Sequence, residues 1–343
     1  MPARHRPVAT LATVAAAAGV SRQTVSNALN SPELLRPDTL ERVQQAIERL
    51  GYTPNRAARN LRTRSSQLVG LRLDPTTEGT VSGLMDRFLH SLAESCRGAG
   101  LHVLLFTAED VNDPLDGYDE LLRSASVDAF VVTDTYRGNP QAAWLAERQV
   151  PFVAFGRPWT EPDATHPWVD VDGRAGVMLA VDHLVDRGHQ RIAWVGWQKS
   201  STIGEDRRSG WVDRMHERGL STSRLSARGE DTIEYGRRAA HALLDQDGEQ
   251  PTAFVCVSDT VAMGVLQAIA ERGRRPGPDD LAVVGFDDSP AAQVVLPGLT
   301  SVRQPLEEVA VQVVRLLEDR LAMRNIEHPH AILTPELRVR GTS

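Results

Sequence analysis

From Gln67 onward the sequence alternates short, mainly apolar, strand-like runs with amphipathic stretches of helical period. The apolar runs fall at 68–73, 102–106, 129–132 and 152–155, and again at 192–195, 253–257 and 281–286. Helical patterns occupy 88–98, 173–187, 206–218 and 260–272. A strand without polar alternation must be covered on both faces, as in a parallel sheet flanked by helices. Two such sets predict two doubly wound lobes, and open α/β sheets take their ligands beyond the carboxyl ends of the strands. A cleft between the lobes is the expected binding site.

The first 64 residues are of a different kind. They hold ten arginines against four acids, a net +6, while the whole 343-residue chain carries −7, which leaves −13 for the rest. A basic head on an acidic body is the asymmetry of a polyanion-binding module joined to something else. No run of about 18 apolar residues is present to span a membrane, and no apolar signal-peptide core follows the basic start. Cys96 and Cys256 are the only cysteines, which excludes a disulfide framework and leads us to expect a reducing, cytoplasmic setting.

Within the head, Thr10 can cap a helix whose apolar face is Leu11, Val14, Ala15 and Ala18. Gly19 ends it, Ser21 can cap a second helix, and Val25 and Leu29 face inward. Ala15, Gly19 and Val25 have the spacing that a helix-turn-helix needs: a small residue for close approach, a glycine for the turn, and an apolar residue between the helices. A generic helical hairpin satisfies the same spacing. Pro37 opens a third helix, with Leu40, Val43, Ile47 and Leu50 on one stripe up to Gly51. Arg36, just before it, offers no acceptor as a cap. Asn55 can cap a short basic helix running to Arg62, too short to be stable alone in water and therefore expected to form against DNA or its twin in a dimer.

Residues 10–61 closely resemble the DNA-binding head and hinge of the lactose-repressor (LacI/GalR) family. The resemblance is carried by Val14-Ala15, Ala18-Gly19-Val20-Ser21, Thr24-Val25-Ser26, Leu29-Asn30, Val43, Ala46-Ile47, Leu50-Gly51-Tyr52, Pro54-Asn55, Ala58 and Leu61. It implies DNA contact by Thr10, Ser21, Arg22, Gln23, Thr24, Ser26 and Asn27, and by Asn55, Arg56, Ala58, Arg59 and Leu61 of the hinge. Arg22, Gln23 and Asn27 would reach base edges, arginine suiting guanine and the amides adenine. Leu61 would wedge into the minor groove and bend the duplex. Many relatives carry Arg where this chain has Asn27, so the base preference does not transfer.

Several stretches of the body resemble the effector domain of the same family, itself similar to periplasmic sugar-binding proteins: 151–157, 169–172, 183–184, 188–193, 206–211, 285–288 and 299–305. The resemblance implies a head at 1–53 and a hinge helix with linker at 54–66. It implies a first lobe of 67–166 plus 301–327 and a second of 167–297 plus 328–341, with residues 299–305 crossing back to the first lobe and 331–333 returning to the second. By position, Arg207 and Asp287 match an effector-binding arginine and carboxylate, and Ser258 stands where relatives often have Asn. An arginine and an aspartate at strand ends can fork onto ligand hydroxyls or carboxylates. Surface ion pairing within 205–208 is the plain alternative for Arg207. Trp197 could stack on a sugar ring or simply fill core. Asp134 and Asp231 are further candidates, against solvated loop positions. Gly156 replaces the Asp of many relatives, which removes one common ligand contact.

Enzyme signatures are missing. Lys199, the only lysine, lacks a phosphate loop, and there is no dinucleotide fingerprint or nucleophile elbow. His328-Pro329-His330 has no carboxylate or cysteine cluster beside it for a metal. The expectation is a cofactor-free, homodimeric transcriptional regulator, a repressor of carbohydrate-utilisation genes. It would bind a near-palindromic operator and respond to a sugar or oligosaccharide in the interlobe cleft. A solute-binding receptor would share the body but have a signal peptide and no basic head; an enzyme would need a catalytic cleft constellation. No heptad helix closes the sequence, so a dimer is expected rather than a coiled-coil tetramer. The stretches 194–197 and 204–211 resemble those of regulators of plant-glycan or glucoside use.

Overall fold

The computed structural model describes residues 9–52, 65–73, 83–110, 113–124, 126–133, 135–136, 138–159 and 163–343. The chain divides into two compact units, Met1–Ser66 and Gln67–Ser343.

The described part of the head is three helices, each placed by local chemistry. Helix α1 (Leu11–Ala18) starts at Thr10, whose hydroxyl accepts from the Thr13 amide at 3.3 Å while the Thr13 hydroxyl accepts from the Thr10 amide at 2.8 Å. Two free amides of the first turn are thereby satisfied. Gly19 ends α1 at φ +67°, a left-handed conformation that glycine adopts without penalty. Ser21 caps α2 (Arg22–Asn30) by accepting from the Thr24 amide at 3.1 Å. Arg36 indeed makes no side-chain cap for α3 (Pro37–Leu50); Pro37 at the first helical position and Asp38 in the first turn take over. Val14, Ala15, Ala18, Val25, Val43, Ala46 and Tyr52 form a small core between the three.

The body contains two six-stranded sheets. Strands β1 (Leu68–Leu73), β2 (His102–Thr107), β3 (Ala129–Val132), β4 (Phe152–Phe155), β5 (Trp168–Val171) and β11 (His330–Leu333) form the first, in the order β11-β5-β4-β3-β1-β2, all parallel. Helices α4 (Leu84–Gly98) and α12 (Leu306–Leu321) cover one face, on Phe88, Leu92, Val309 and Val313. Helices α5 (Tyr118–Arg123) and α6 (Gln141–Glu147) bring Tyr118 and Leu145 to the other.

Strands β6 (Ile192–Trp197), β7 (Ser226–Gly229), β8 (Ala253–Cys256), β9 (Ala282–Phe286), β10 (Thr300–Arg303) and β12 (Glu336–Arg338) form the second sheet, in the order β12-β10-β9-β8-β6-β7. Its strands are parallel except for the edge strand β12, which is antiparallel to β10. Helices α7 (Gly173–Asp186), α8 (Thr202–Glu217), α9 (Ile233–Leu244) and α10 (Asp259–Glu271) enclose it, and a short α11 (Pro290–Val294) follows β9. Trp194 and Trp211 are fully buried here, and the Trp211 indole N–H is satisfied by the Ile192 carbonyl at 3.1 Å.

Three parts of the expected lobe assignment are corrected. Strand β5 belongs to the first sheet, although residue 167 was expected to open the second lobe. Strand β11 pairs with β5 in the first sheet, although residues 331–333 were expected in the second. Residues 301–303 lie in β10 of the second sheet, so this crossing falls at Gln304-Pro305. The physical reason is the same each time. A short strand near a sheet edge carries a period but no label for its partner, and only tertiary pairing decides which sheet it extends. The chain therefore passes between lobes three times: after β5, after β10 and between β11 and β12.

Candidate functional site

In the head, the first turn of α2 presents Arg22 and Gln23 to solvent. Gln23 Nε2 donates to Asn27 Oδ1 at 3.0 Å, joining the two amides on one face of the helix. Thr24 shares a 2.9 Å hydroxyl contact with Ser21, and the Ser26 carbonyl accepts from Asn30 at 2.6 Å. Of the expected DNA-binding residues, Thr10 and Ser21 act as helix caps, while Arg22, Gln23 and Asn27 hold the long polar groups. Asn55, Arg56, Ala58, Arg59 and Leu61 lie outside the described residues.

In the body, a cavity of about 560 Å³, counting its open mouth, lies where both sheets end. The first lobe supplies Met85, Phe155, Trp159 and Asp170; the second supplies Ile203, Asp206 and Arg207; Gln304 comes from the second crossing. The sequence puts these groups here for local reasons. Ser201 caps α8 and fixes its first turns, where Asp206 and Arg207 sit. Asp172 caps α7 through the Ala175 amide just past β5.

Arg207 is buried and committed on several sides. Its Nη1 donates to the Val257 carbonyl at 2.6 Å, its guanidinium lies 3.7 Å from the Phe286 ring centre and 5.3 Å from that of Trp197, and Nη2 stands 3.8 Å from Asp287. Its Nε has no hydrogen-bond partner among the described residues. Asp287 has φ +109° and Asp288 φ +49°, left-handed backbone that the surroundings must hold. Asp288 is fixed by Arg340 at 2.5 Å, and Asp287 accepts from Gln304 Nε2 at 2.8 Å. Burial pushes the Asp287 carboxyl up to about 7, with the attraction of Arg207 opposing only in part. Arg207 is pushed down by its own burial. Desolvation thus outweighs a pair attraction exerted across 3.8 Å.

Ser258 caps α10 through the Val261 amide at 3.2 Å and donates to Asp231 at 2.5 Å. The charge of Asp231 reaches both Arg207 and Asp287. The structure therefore gathers Arg207, Asp287, Trp197, Ser258 and Asp231 about one centre, although of these only Arg207 lines the cavity itself. Asp134 lies outside the described residues. Sequence reasoning missed Asp206, Asp170, Arg157, Trp159 and Gln304. Arg157 donates to Asp170 at 2.5 Å, stands 4.0 Å from Asp206, and lies over the Trp159 ring at 4.7 Å. Arg157 and Asp206 both fall in stretches that carry the family resemblance, and that was the available signal. Gly156, in the left-handed region at φ +118°, leaves no room for the carboxylate that many relatives carry there, because a Cβ would collide with the Thr135 hydroxyl.

Among the described residues, no helix is long and apolar enough to cross a membrane, and no group of three or more His, Cys, Asp or Glu is placed to hold a metal ion. Residues 10–55 match the model for bacterial regulatory proteins of the lacI family, and residues 181–343 match the periplasmic binding protein-like domain. The chain is 34% identical to the HTH-type transcriptional regulator CelR of Thermobifida fusca, covering 99% of each. It is similar to a solved CelR–cellobiose complex at 30% identity and TM-score 0.74, covering 98% of this chain and 100% of that one. It is also similar to a lac repressor dimer bound to operator and an anti-inducer, at 25% identity and TM-score 0.81, covering 98% and 99%. An end-to-end likeness of this kind, over a capped helix-turn-helix head and a two-sheet body, makes the chain a member of the LacI family of DNA-binding transcriptional regulators.

Proposed function

We infer that the protein is a cytoplasmic repressor of carbohydrate-utilisation genes, binding a near-palindromic operator as a homodimer and controlled by a sugar or oligosaccharide in the interlobe cleft. The observation that carries the effector half is the cleft itself. Its carboxylates Asp170 and Asp206, its amide Gln304 and its aromatic groups Phe155 and Trp159 combine acceptors and donors for hydroxyls with apolar faces for a pyranose ring. The likeness to a regulator solved with cellobiose supports the same ligand class. In the head, Arg22, Gln23 and Asn27 read base edges, and Leu61 from each protomer enters the minor groove at the operator centre.

Closing the lobes on a sugar changes the relation of the two first lobes in the dimer and so the pairing of the hinge helices. Sugar and operator affinities are then linked reciprocally. The test is operator binding by fluorescence anisotropy, with and without cellobiose. Arg22→Ala combined with Gln23→Ala should abolish specific binding while leaving the salt-dependent non-specific component. Unchanged operator discrimination in that variant, or an operator affinity indifferent to every sugar tried, would overturn the respective half.

A further inference from the structure

Arg87 stands in the first turn of α4, half-buried, and its guanidinium reaches backbone that lies beyond its own lobe. Nη1 donates to the Asp287 carbonyl at 3.1 Å and Nη2 to the Gln304 carbonyl at 3.5 Å. Nη2 also stands 3.5 Å from Glu307, but that carboxylate is 57% exposed, and a solvated ion pair holds little. The two carbonyl bonds are the part that fixes geometry, because a planar guanidinium presents its donors in a rigid fork.

Asp287 and Gln304 are joined a second time, through their side chains, since Gln304 Nε2 donates to Asp287 Oδ1 at 2.8 Å. Gln304 lines the cleft, and Asp287 stands 3.8 Å from Arg207, which also lines it. One guanidinium thus holds the backs of two residues whose side chains meet at the effector centre. A ligand hydroxyl that takes the Gln304 amide or pairs with Arg207 changes the bond between those side chains. The carbonyls behind them then shift. The left-handed backbone at Asp287 and Asp288 is kept in place by its partners and not by its own preference, and at the Asp287 carbonyl that partner is Arg87.

Helix α4 is built to follow such a shift. Its first turn also brings Leu84 and Met85 to the cleft. At Gly83, just before it, an added Cβ would come within 3.0 Å of the Pro290 side chain, at the start of α11 in the second lobe. Further along, Phe88 and Leu92 anchor α4 in the core of the first lobe.

We propose that Arg87 is a positioning residue for the effector response, passing a change at the Asp287 and Gln304 side chains through their carbonyls to α4 and the first lobe. The assignment rests on the reading of the cleft as the site that controls operator affinity. It adds which contact carries that control.

The test uses the full chain, with operator affinity measured by fluorescence anisotropy with and without saturating cellobiose, and cellobiose affinity by calorimetry. Couplings of this kind change affinity by about 5- to 150-fold. Arg87→Met keeps the apolar stem and removes both donors. It should bring the ratio of the two operator affinities to within about twofold of one, so that cellobiose binds the free and the operator-bound variant alike. Cellobiose affinity of the free variant should stay within about threefold of wild type, well short of a tenfold step. Arg87→Lys, a single point charge, should restore the ratio only in part. Glu307→Ala, which loses only the exposed ion pair, should keep the wild-type ratio. A wild-type ratio in Arg87→Met, or an equal loss of the ratio in Glu307→Ala, overturns this role and leaves the effector reading intact. Wild-type operator affinity indifferent to every sugar tried overturns both. If Arg87→Met melts far below wild type, Arg87→Lys decides: a full wild-type ratio there overturns the role.

Discussion

Arg157 and Asp206 face each other at 4.0 Å across the cleft, the arginine on the first lobe and the aspartate on the second. Arg157 is already tied to its own lobe by the 2.5 Å bond to Asp170, so its position is set before Asp206 arrives. Burial raises the Asp206 pKa, and Arg157 only partly offsets it. An acceptor poorly solvated in the free protein is well placed to take ligand hydroxyls. Arg87 makes a second bridge, from α4 to the carbonyls of Asp287 and Gln304 at 3.1 and 3.5 Å.

Asp206→Asn should therefore weaken sugar binding. Hydrogen bonds to a charged group contribute about 1.5–3 kcal/mol, so a loss of about 10- to 100-fold in affinity is expected by calorimetry. Operator affinity without sugar should stay near wild type. An unaltered sugar affinity would remove Asp206 from the site.

Arg207→Ala should destabilise the body by about 3 kcal/mol in urea denaturation, since it strands the buried Asp287 and opens space beside Phe286. Arg207→Lys should recover less than half of that loss. An ammonium keeps the charge but cannot lie flat over the ring while also donating to Val257.

The raised pKa of Asp287 gives a pH signature. The folded state holds this proton up to about 7, well above the ordinary carboxylate value that applies to the unfolded chain. The stability that Asp287 contributes in its neutral form is complete below the unfolded pKa and is lost as pH rises through about 7. Asp287→Asn cannot ionise. The melting temperature of the variant minus that of wild type should therefore rise between about pH 5 and about pH 8. A flat difference across that window would contradict the buried environment assigned to the carboxyl.

Ser21→Ala tests the head. Loss of a serine cap costs about 1 kcal/mol of helix stability. Amides in the first turn of α2 should exchange faster with deuterium, and specific operator affinity should fall because Arg22 and Gln23 lose their fixed first turn. Unaltered exchange at Thr24, whose amide Ser21 accepts, would show the cap to be dispensable.

The head was legible because its determinants are local. Thr10, Gly19, Ser21 and Gly51 act on their own turns, and each sits where the spacing put it. The central strands were legible for a related reason: Ala129–Val132 and Ala253–Cys256 are buried on both faces and read as unbroken apolar runs. Strand β7, whose residues are at most half-buried, gave no such run. Strands β5 and β11 have periods but no sequence label for the sheet they join. At the cleft, Arg207 and Asp287 were found by resemblance, yet Asp206 beside them was passed over. Which residue on the first turns of α8 faces the first lobe depends on how the lobes meet, and helical period alone does not encode that. Ser258 was read only as a ligand contact because the expected helix began one residue late, which hid its role as a cap.

The three chain crossings also order the birth of the molecule. Both sheets take an edge strand from residues 330–338, so neither is complete until those residues have emerged from the ribosome. The head, made entirely of contacts among residues close in sequence, can fold and find DNA charge while both lobes still wait for their last strands. A nascent or truncated chain lacking that stretch would carry a basic head on a body with two open sheet edges, which are sites for adding strands from other chains.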